Sequence, residues 1–234
     1  MKYMGSKRRI AKYILPIMLE HRKDGQWWVE PFVGGANLID KVEGNRIGNN
    51  SNKYLIALLR KMQEPNFEAP IISKDIFEDM KKSPIDYPDW LLGFAGFQLS
   101  YGSKWFDSYC RDSMEKRNYA DEAKRNVDKQ SKKLTDILFI NRNYAEINIP
   151  ENSLIYCDPP YEKTTKNKAV DNFNHNEFWQ WCRDKAKEGH TVFVSEYNAP
   201  DDFECVWQKE IVSSLTKNTG AKKGIEKLFM KSGG

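Results

Sequence analysis

Apolar and polar positions alternate along the chain in a way that predicts a mixed α/β fold, interrupted in the middle. Ile10, Ile14, Leu15 and Met18 recur at helical spacing and predict a first helix over residues 7–20. Trp27-Trp28-Val29-Glu30-Pro31-Phe32 reads as a short buried strand that stops at Pro31. Gly34-Gly35 follow, and a helix is expected to start near Asn37. Arg46-Ile47-Gly48 is a second short strand. Over Lys53–Gln63 the residues Leu55, Leu58, Leu59 and Met62 keep the i, i+3, i+4, i+7 pattern of an amphipathic helix. Strand, glycine turn, helix, strand and helix in this order predict a parallel sheet.

The segment from about Glu64 to Lys133 is different. It carries Pro65, Pro70, Pro84 and Pro88, then Trp90, Phe94, Phe97, Tyr101, Trp105, Phe106 and Tyr109, and ends in the charge-rich stretch Arg111–Lys133. We read it as a mostly helical insertion. Ile137–Ile140, Leu154–Cys157 and Thr191–Val194 resume the strand pattern. Phe178–Glu188 is an amphipathic helix with Gly189 as its C-cap. Val206–Ser213 and Ile225–Met230 are expected to pair as a hairpin across Thr216–Gly224. The organisation is therefore a sheet domain from 1–63 and 134–234, with 64–133 inserted.

Composition narrows the function classes. The 234 residues are 40% hydrophobic and 30% charged, and the net charge is +4. That is a globular balance, mildly basic, which permits a nucleic-acid partner without demanding one. Cys110, Cys157, Cys182 and Cys205 form no CxxC pair, and His21, His175 and His190 share no ligand spacing, so no metal is expected. Cys157 reads as a packing residue. No apolar run reaches the length of a membrane span, and the first residues lack the apolar core of a secretory signal. A reducing, cytoplasmic location fits this cysteine usage, and a monomer is expected.

The strongest chemical signal is Leu154-Ile155-Tyr156-Cys157-Asp158-Pro159-Pro160-Tyr161. A buried strand runs into an acid, two prolines and an aromatic. Prolines fix φ and offer no amide donor, so the turn is stiff and presents acceptors. Ligands of open α/β sheets bind at the carboxyl ends of strands. A carboxylate and a proline carbonyl suit a planar substrate with an exocyclic amine, and Tyr161 suits stacking on its ring. The same residues also make an ordinary strand-to-loop turn. The second signal is Glu30-Pro31-Phe32-Val33-Gly34-Gly35-Ala36-Asn37, where glycines after a first strand allow close approach to the backbone. It is not the GxGxxG of a dinucleotide fold.

Together these motifs resemble the Dam-like family of N6-adenine DNA methyltransferases over nearly the whole chain. Lys2-Tyr3-Met4-Gly5-Ser6-Lys7 is similar to that family's N-terminal element. Glu30–Gly35 is similar to its S-adenosylmethionine loop, and Gly48–Leu59 to its second-strand motif and helix. Asp158-Pro159-Pro160-Tyr161 is similar to its catalytic motif. The resemblance implies a Rossmann-like S-adenosylmethionine-dependent methyltransferase sheet, with the insertion serving target recognition. It implies catalysis by Asp158, Pro159, Pro160 and Tyr161, with adenine N6 of a flipped base in double-stranded DNA as acceptor. It implies cofactor contacts from Tyr3, Lys7, Pro31, Phe32, Gly34, Gly35, Asn50, Ser51, Asn143, Tyr144 and Asp158.

Three positions depart from the family's pattern. Asn50 falls where the family has the acid that meets the cofactor ribose, Asn143-Tyr144 where it often has Asp-Tyr, and Ala36 where a loop glycine is common. A neutral hydrogen bond is weaker than a charged one, so cofactor binding is expected to be weakened. Two rival functions follow: a DNA-binding relative with impaired cofactor uptake, and a methyltransferase for cytosine N4, RNA adenine or protein glutamine. For DNA contacts, residues 1–12 carry Lys2, Lys7, Arg8, Arg9 and Lys12 without an acid. Residues 217–231 carry Lys217, Lys222, Lys223, Lys227 and Lys231 against Glu226 alone. The predicted DNA-binding residues are Lys7, Arg8, Tyr101, Ser103, Lys104, Arg111, Lys217, Lys222 and Lys223. Phe94, Phe97, Phe106 and Trp105 are expected to form the core of the insertion.

Overall fold

The computed structural model describes residues 1–110, 117–162, 173–212 and 223–233. In chain order the main elements are α1 (Ala11–Glu20), β1 (Trp28–Glu30), β2 (Arg46–Asn49), α2 (Lys53–Lys61), α3 (Lys74–Lys82), α4 (Asp89–Gln98) and α5 (Tyr119–Ser131). They continue with β3 (Ile137–Ile140), β4 (Leu154–Cys157), α6 (His175–Lys187), β5 (Thr191–Glu196), β6 (Glu204–Val212) and β7 (Lys223–Ser232). The strands are ordered β3-β2 in one compact unit of the chain and β1-β4-β5-β7-β6 in the other. With the helices between them this is the mixed α/β, Rossmann-like architecture expected from the motifs.

The chain divides into two compact units. One comprises Met1–Lys12 and Val33–Ile147, the other Tyr13–Phe32 and Asn148–Gly234. In the second unit β1 pairs parallel with β4 (Val29 opposite Ile155), and β4 parallel with β5 (Cys157 opposite Val194). Every residue of β1 and β4 is buried. Strands covered on both faces read as unbroken apolar runs, which is why these two were legible. β7 runs antiparallel between β5 and β6, and a bulge interrupts its pairing with β6 at Cys205/Trp207. The predicted hairpin pairing is therefore present, with both strands longer than the apolar pattern suggested. Its connection at 213–222 lies outside the described residues.

α6 ends as Gly189 predicts. Gly189 has φ +94°, its N–H donates to the Ala186 carbonyl, and the His190 N–H donates to Lys185. These two hydrogen bonds satisfy two orphan carbonyls of the helix end. The next side chain is buried: His190 Nδ1 accepts the Ser153 N–H at 3.0 Å. Burial lowers the imidazole's pKa, with Glu188 opposing and Lys185 assisting. The folded chain thus favours neutral His190. Its stabilisation is complete above the free imidazole value of about 6.5 and is lost as pH falls through the lower folded value. Urea midpoints at pH 7.5 and 5.5 are expected to fall more in the native chain than in His190→Asn. Equal falls would show that this imidazole carries no pH dependence.

In the first unit β2 pairs parallel with β3, from Arg46 opposite Ile137 to Asn49 opposite Ile140. Asn52 caps α2 by accepting the Leu55 N–H, and Leu55, Ile56, Leu58 and Leu59 face inward. α4 is buried from Leu92 to Gln98. Phe94, Phe97 and Phe106 are core residues as expected. Trp105 is 40% exposed, yet its ring stacks on Tyr54 at 4.7 Å and meets Phe97 at 4.9 Å.

Two expectations need correction. The first helix does not begin at residue 7: Lys7–Arg9 form a 3-10 turn capped by the Ser6 hydroxyl, and α1 starts at Ala11. Three cations with no acid in that turn oppose the helix dipole's positive end. No α-helix starts near Asn37. The chain instead takes left-handed values at Gly34 (φ +48°) and Ala36 (φ +52°) and then a short 3-10 turn at Ile39–Lys41. Left-handed residues cannot continue a right-handed helix.

Candidate active site

In the second unit the turn after β4 places Asp158 half-buried at the carboxyl end of a strand, followed by buried Pro159 and Tyr161. The Tyr161 hydroxyl donates to Glu226 Oε2 at 2.9 Å, and its ring stands edge-on to Tyr197 at 4.8 Å. The next backbone amide, that of Glu162, donates to Glu196 Oε2 at 3.1 Å. Glu196 Oε1 also accepts the Tyr197 N–H at 2.7 Å. Behind the turn, Tyr156 shares a 2.8 Å hydrogen bond with Ser195, and Trp28 Nε1 donates to buried Glu30 at 2.9 Å. Burial first, and the Asp158 carboxylate second, push the phenols of Tyr156 and Tyr161 well above their usual range. Both stay neutral, so Tyr161 acts as a hydrogen-bond donor. Phe32 packs edge-on against Phe173 and Phe178. Cys157 is fully buried beside Cys182, and burial raises its thiol strongly, which fits a packing role.

In the first unit the glycine turn is roofed by the N-terminal segment. A Cβ on Gly34 would lie 3.1 Å from the Tyr3 ring, and one on Gly35 would lie 2.7 Å from Tyr3 Cβ. Within this unit, Tyr3 approaches both glycines closely, and Asn37 Nδ2 lies equally near the Gly35 position at 2.7 Å. The Val33 N–H donates to Asn49, and Gln130 of α5 donates to the Gly35 and Ala36 carbonyls at 3.0 Å each. The α-amine of Met1 donates to Gln130 Oε1 and to Asn37 Oδ1. Lys7 is buried in its 3-10 turn, at 9% exposure.

After β2 the three asparagines each hold backbone. Asn49 brackets Arg142 with its amide, Asn50 Oδ1 accepts the Asn52 N–H at 2.9 Å, and Asn52 caps α2. Ser51 is exposed. Asn143 accepts the Ala145 N–H at 3.0 Å and so opens the short turn that carries Tyr144.

Among the DNA-binding expectations, Arg8, Tyr101 and Lys104 are exposed and Ser103 is buried. Tyr101 and Ser103 line a cavity of about 200 Å³ together with Lys2, Ser100, Cys110 and Tyr119. Ser100 Oγ is buried there without a partner among the described residues. Arg111, Lys217 and Lys222 lie outside the described residues, and Lys223 opens β7. Among the described residues no group of three metal-ligating side chains forms, and no helix is long and apolar enough to cross a membrane.

Four residues now stand beside the motifs that sequence reasoning did not single out: Glu30, Gln130, Glu196 and Glu226. Glu30 sat inside a quoted motif, and Glu196 ends the apolar run Thr191–Val194 as a carboxylate where a strand is still buried. Gln130 and Glu226 carried no local signal.

Comparison with known proteins gives one family. The profile of the D12 class N6 adenine-specific DNA methyltransferases matches residues 3–89 and 90–217. No curated protein matches the chain. Among solved structures, the chain is similar to SMU.472, described as a candidate methyltransferase complexed with SAH, at 13% identity and a TM-score of 0.43. That match covers 98% of this chain and 53% of SMU.472, so the chain spans about half the length of that protein.

Proposed function

This chain belongs to the D12 class N6 adenine-specific DNA methyltransferase family, and from that premise we propose that it methylates adenine N6 in double-stranded DNA, with S-adenosylmethionine as donor. The observation that carries the reading is Asp158-Pro159-Pro160-Tyr161 on a stiff turn at the carboxyl end of β4. Segment 64–133 serves target recognition in this reading, with exposed Tyr101 and Lys104 as its DNA contacts.

The residues present suit the donor molecule. A glycine pair and the polar Asn50, all in the first unit, can hold a nucleoside with an amino-acid tail. Asn50 Oδ1 already accepts one backbone N–H, which leaves a second lone pair and the amide N–H₂ for ribose hydroxyls. When bound, S-adenosylmethionine supplies a methyl group on a positively charged sulfur. In this reading Tyr3, Gly34 and Gly35 contact it, with Lys7, Ser51, Asn143 and Tyr144 of the same unit.

The chain's own work is to bind and orient the acceptor. Asp158 and the Pro159 carbonyl accept the two N–H bonds of adenine N6. Those bonds strengthen as the nitrogen becomes positive during attack, so they favour the transition state over the ground state. Pro160 stiffens the turn, and Tyr161 orients the base. A base inside a duplex must be flipped out to reach such a site. No covalent enzyme intermediate is required, and alignment supplies much of the rate.

The test is transfer of label from S-adenosylmethionine to unmethylated duplex DNA, followed by nucleoside analysis. Label in N6-methyladenine supports the reading. Label in N4-methylcytosine, RNA or protein glutamine alone would replace it. The uncharged Asn50 favours one second reading, a relative that binds DNA but takes up cofactor poorly. Asn50→Asp keeps the backbone contact and turns a neutral hydrogen bond into a charged one. It is expected to tighten S-adenosylmethionine by about 1 kcal/mol, roughly fivefold, in calorimetric titration. Unchanged affinity would show that this position does not meet the cofactor.

A further inference from the structure

We infer that Glu226 is a positioning residue for methyl transfer, holding the Tyr161 ring by its hydroxyl. The inference rests on the adenine-methylating reading above. β5 and β7 pair antiparallel as far as Glu196 opposite Lys227. Glu226 therefore lies one residue past the end of β5, at the edge where the Asp158 turn emerges. There it accepts the Tyr161 hydroxyl at 2.9 Å, while Tyr197 meets the same ring edge-on at 4.8 Å and 86°. Glu196, the last residue of β5, takes the backbone N–H of Glu162. Two carboxylates from two adjacent strands thus clamp the end of the catalytic turn, one through a side chain and one through the backbone.

The chemistry favours a real constraint. Tyr161 stays protonated because it is buried among carboxylates, so its hydroxyl can only strengthen the bond by donating to a charged acceptor. A hydroxyl anchored at one end and an edge packed against Tyr197 fix the plane of the ring. A ring that orients a base needs that plane, and small misplacements at a reacting centre are costly in rate.

The experiment compares wild type, Glu226→Leu, Glu226→Gln, Tyr161→Phe and the Leu/Phe double variant. It measures kcat and KM for DNA and the dissociation constant of S-adenosylmethionine. Glu226→Leu and Tyr161→Phe are each expected to lower kcat about tenfold, with cofactor affinity unchanged. The double variant should be no worse than either, because both remove one bond. Glu226→Gln retains an acceptor oxygen and should recover most of the loss. Additive losses, no recovery in Glu226→Gln, or full activity in Glu226→Leu would overturn the role. Tyr161→Phe removes only a hydroxyl, so it reports even if Glu226→Leu does not fold. A wild type that binds cofactor yet methylates no adenine would overturn the functional reading itself and this role with it.

Discussion

Asp158→Ala is expected to lower kcat by about 10²–10³, while DNA affinity stays within a few-fold. The carboxylate is the one charged acceptor aimed by the stiff turn, and alanine has no acceptor to replace it. The turn itself should survive, because Pro159 and Pro160 fix its backbone and Glu196 still holds the Glu162 amide. Asp158→Asn keeps one carbonyl acceptor and should fall between wild type and Asp158→Ala. Labelled methyl transfer gives kcat, gel retardation gives DNA affinity, and thermal melting confirms the fold. Wild-type kcat in Asp158→Ala would remove Asp158 from catalysis.

Gly93→Ala is expected to be the most damaging of the glycine substitutions for stability. Gly93 lies in α4 where the helix crosses α2. An added Cβ would sit 2.2 Å from the Tyr54 carbonyl oxygen, 3.0 Å from its carbon and 3.2 Å from Leu58 Cβ. The first two are backbone atoms, so no side chain can swing aside. Alanine gains about 1 kcal/mol in helix propensity. Overpacking costs about 1–3 kcal/mol and more when backbone must move. The clash wins, with a net loss of about 2 kcal/mol, or roughly 4–8 °C in melting temperature for a chain of this size. Gly102→Ala is the control. Gly102 has φ +62° and open space around its Cβ, so only left-handed strain of about 1 kcal/mol applies there. Equal melting temperatures for the two variants would refute the packing argument.

The legible parts of this chain share one property: their signal is local. β1, β4 and β5 carry short apolar runs, α2 repeats its leucines at helical spacing, and Gly189 stands where α6 must stop. The Asp158 turn was legible for the same reason, since two prolines constrain their own neighbours. The loop after Phe32 was not. Its left-handed Ala36 is held by Gln130, a residue 94 positions away, through a carbonyl bond that nothing in the loop announces. Lys7 carried a cationic signal, yet the fold buries it.

By itself the sequence determined the sheet class, the positions of its buried strands along the chain and the chemistry offered at the end of β4, because backbone stiffness and hydrophobic period act between near neighbours. Only the tertiary structure decided which groups hold that chemistry in place. Tyr161 and Glu226 are 65 residues apart, and Gln130 and Gly35 are 95 apart. Such pairs exist only once strand register and helix packing bring their elements together. A buried donor or acceptor then takes whichever partner that packing supplies, since leaving it unmade costs more than any local preference can offset.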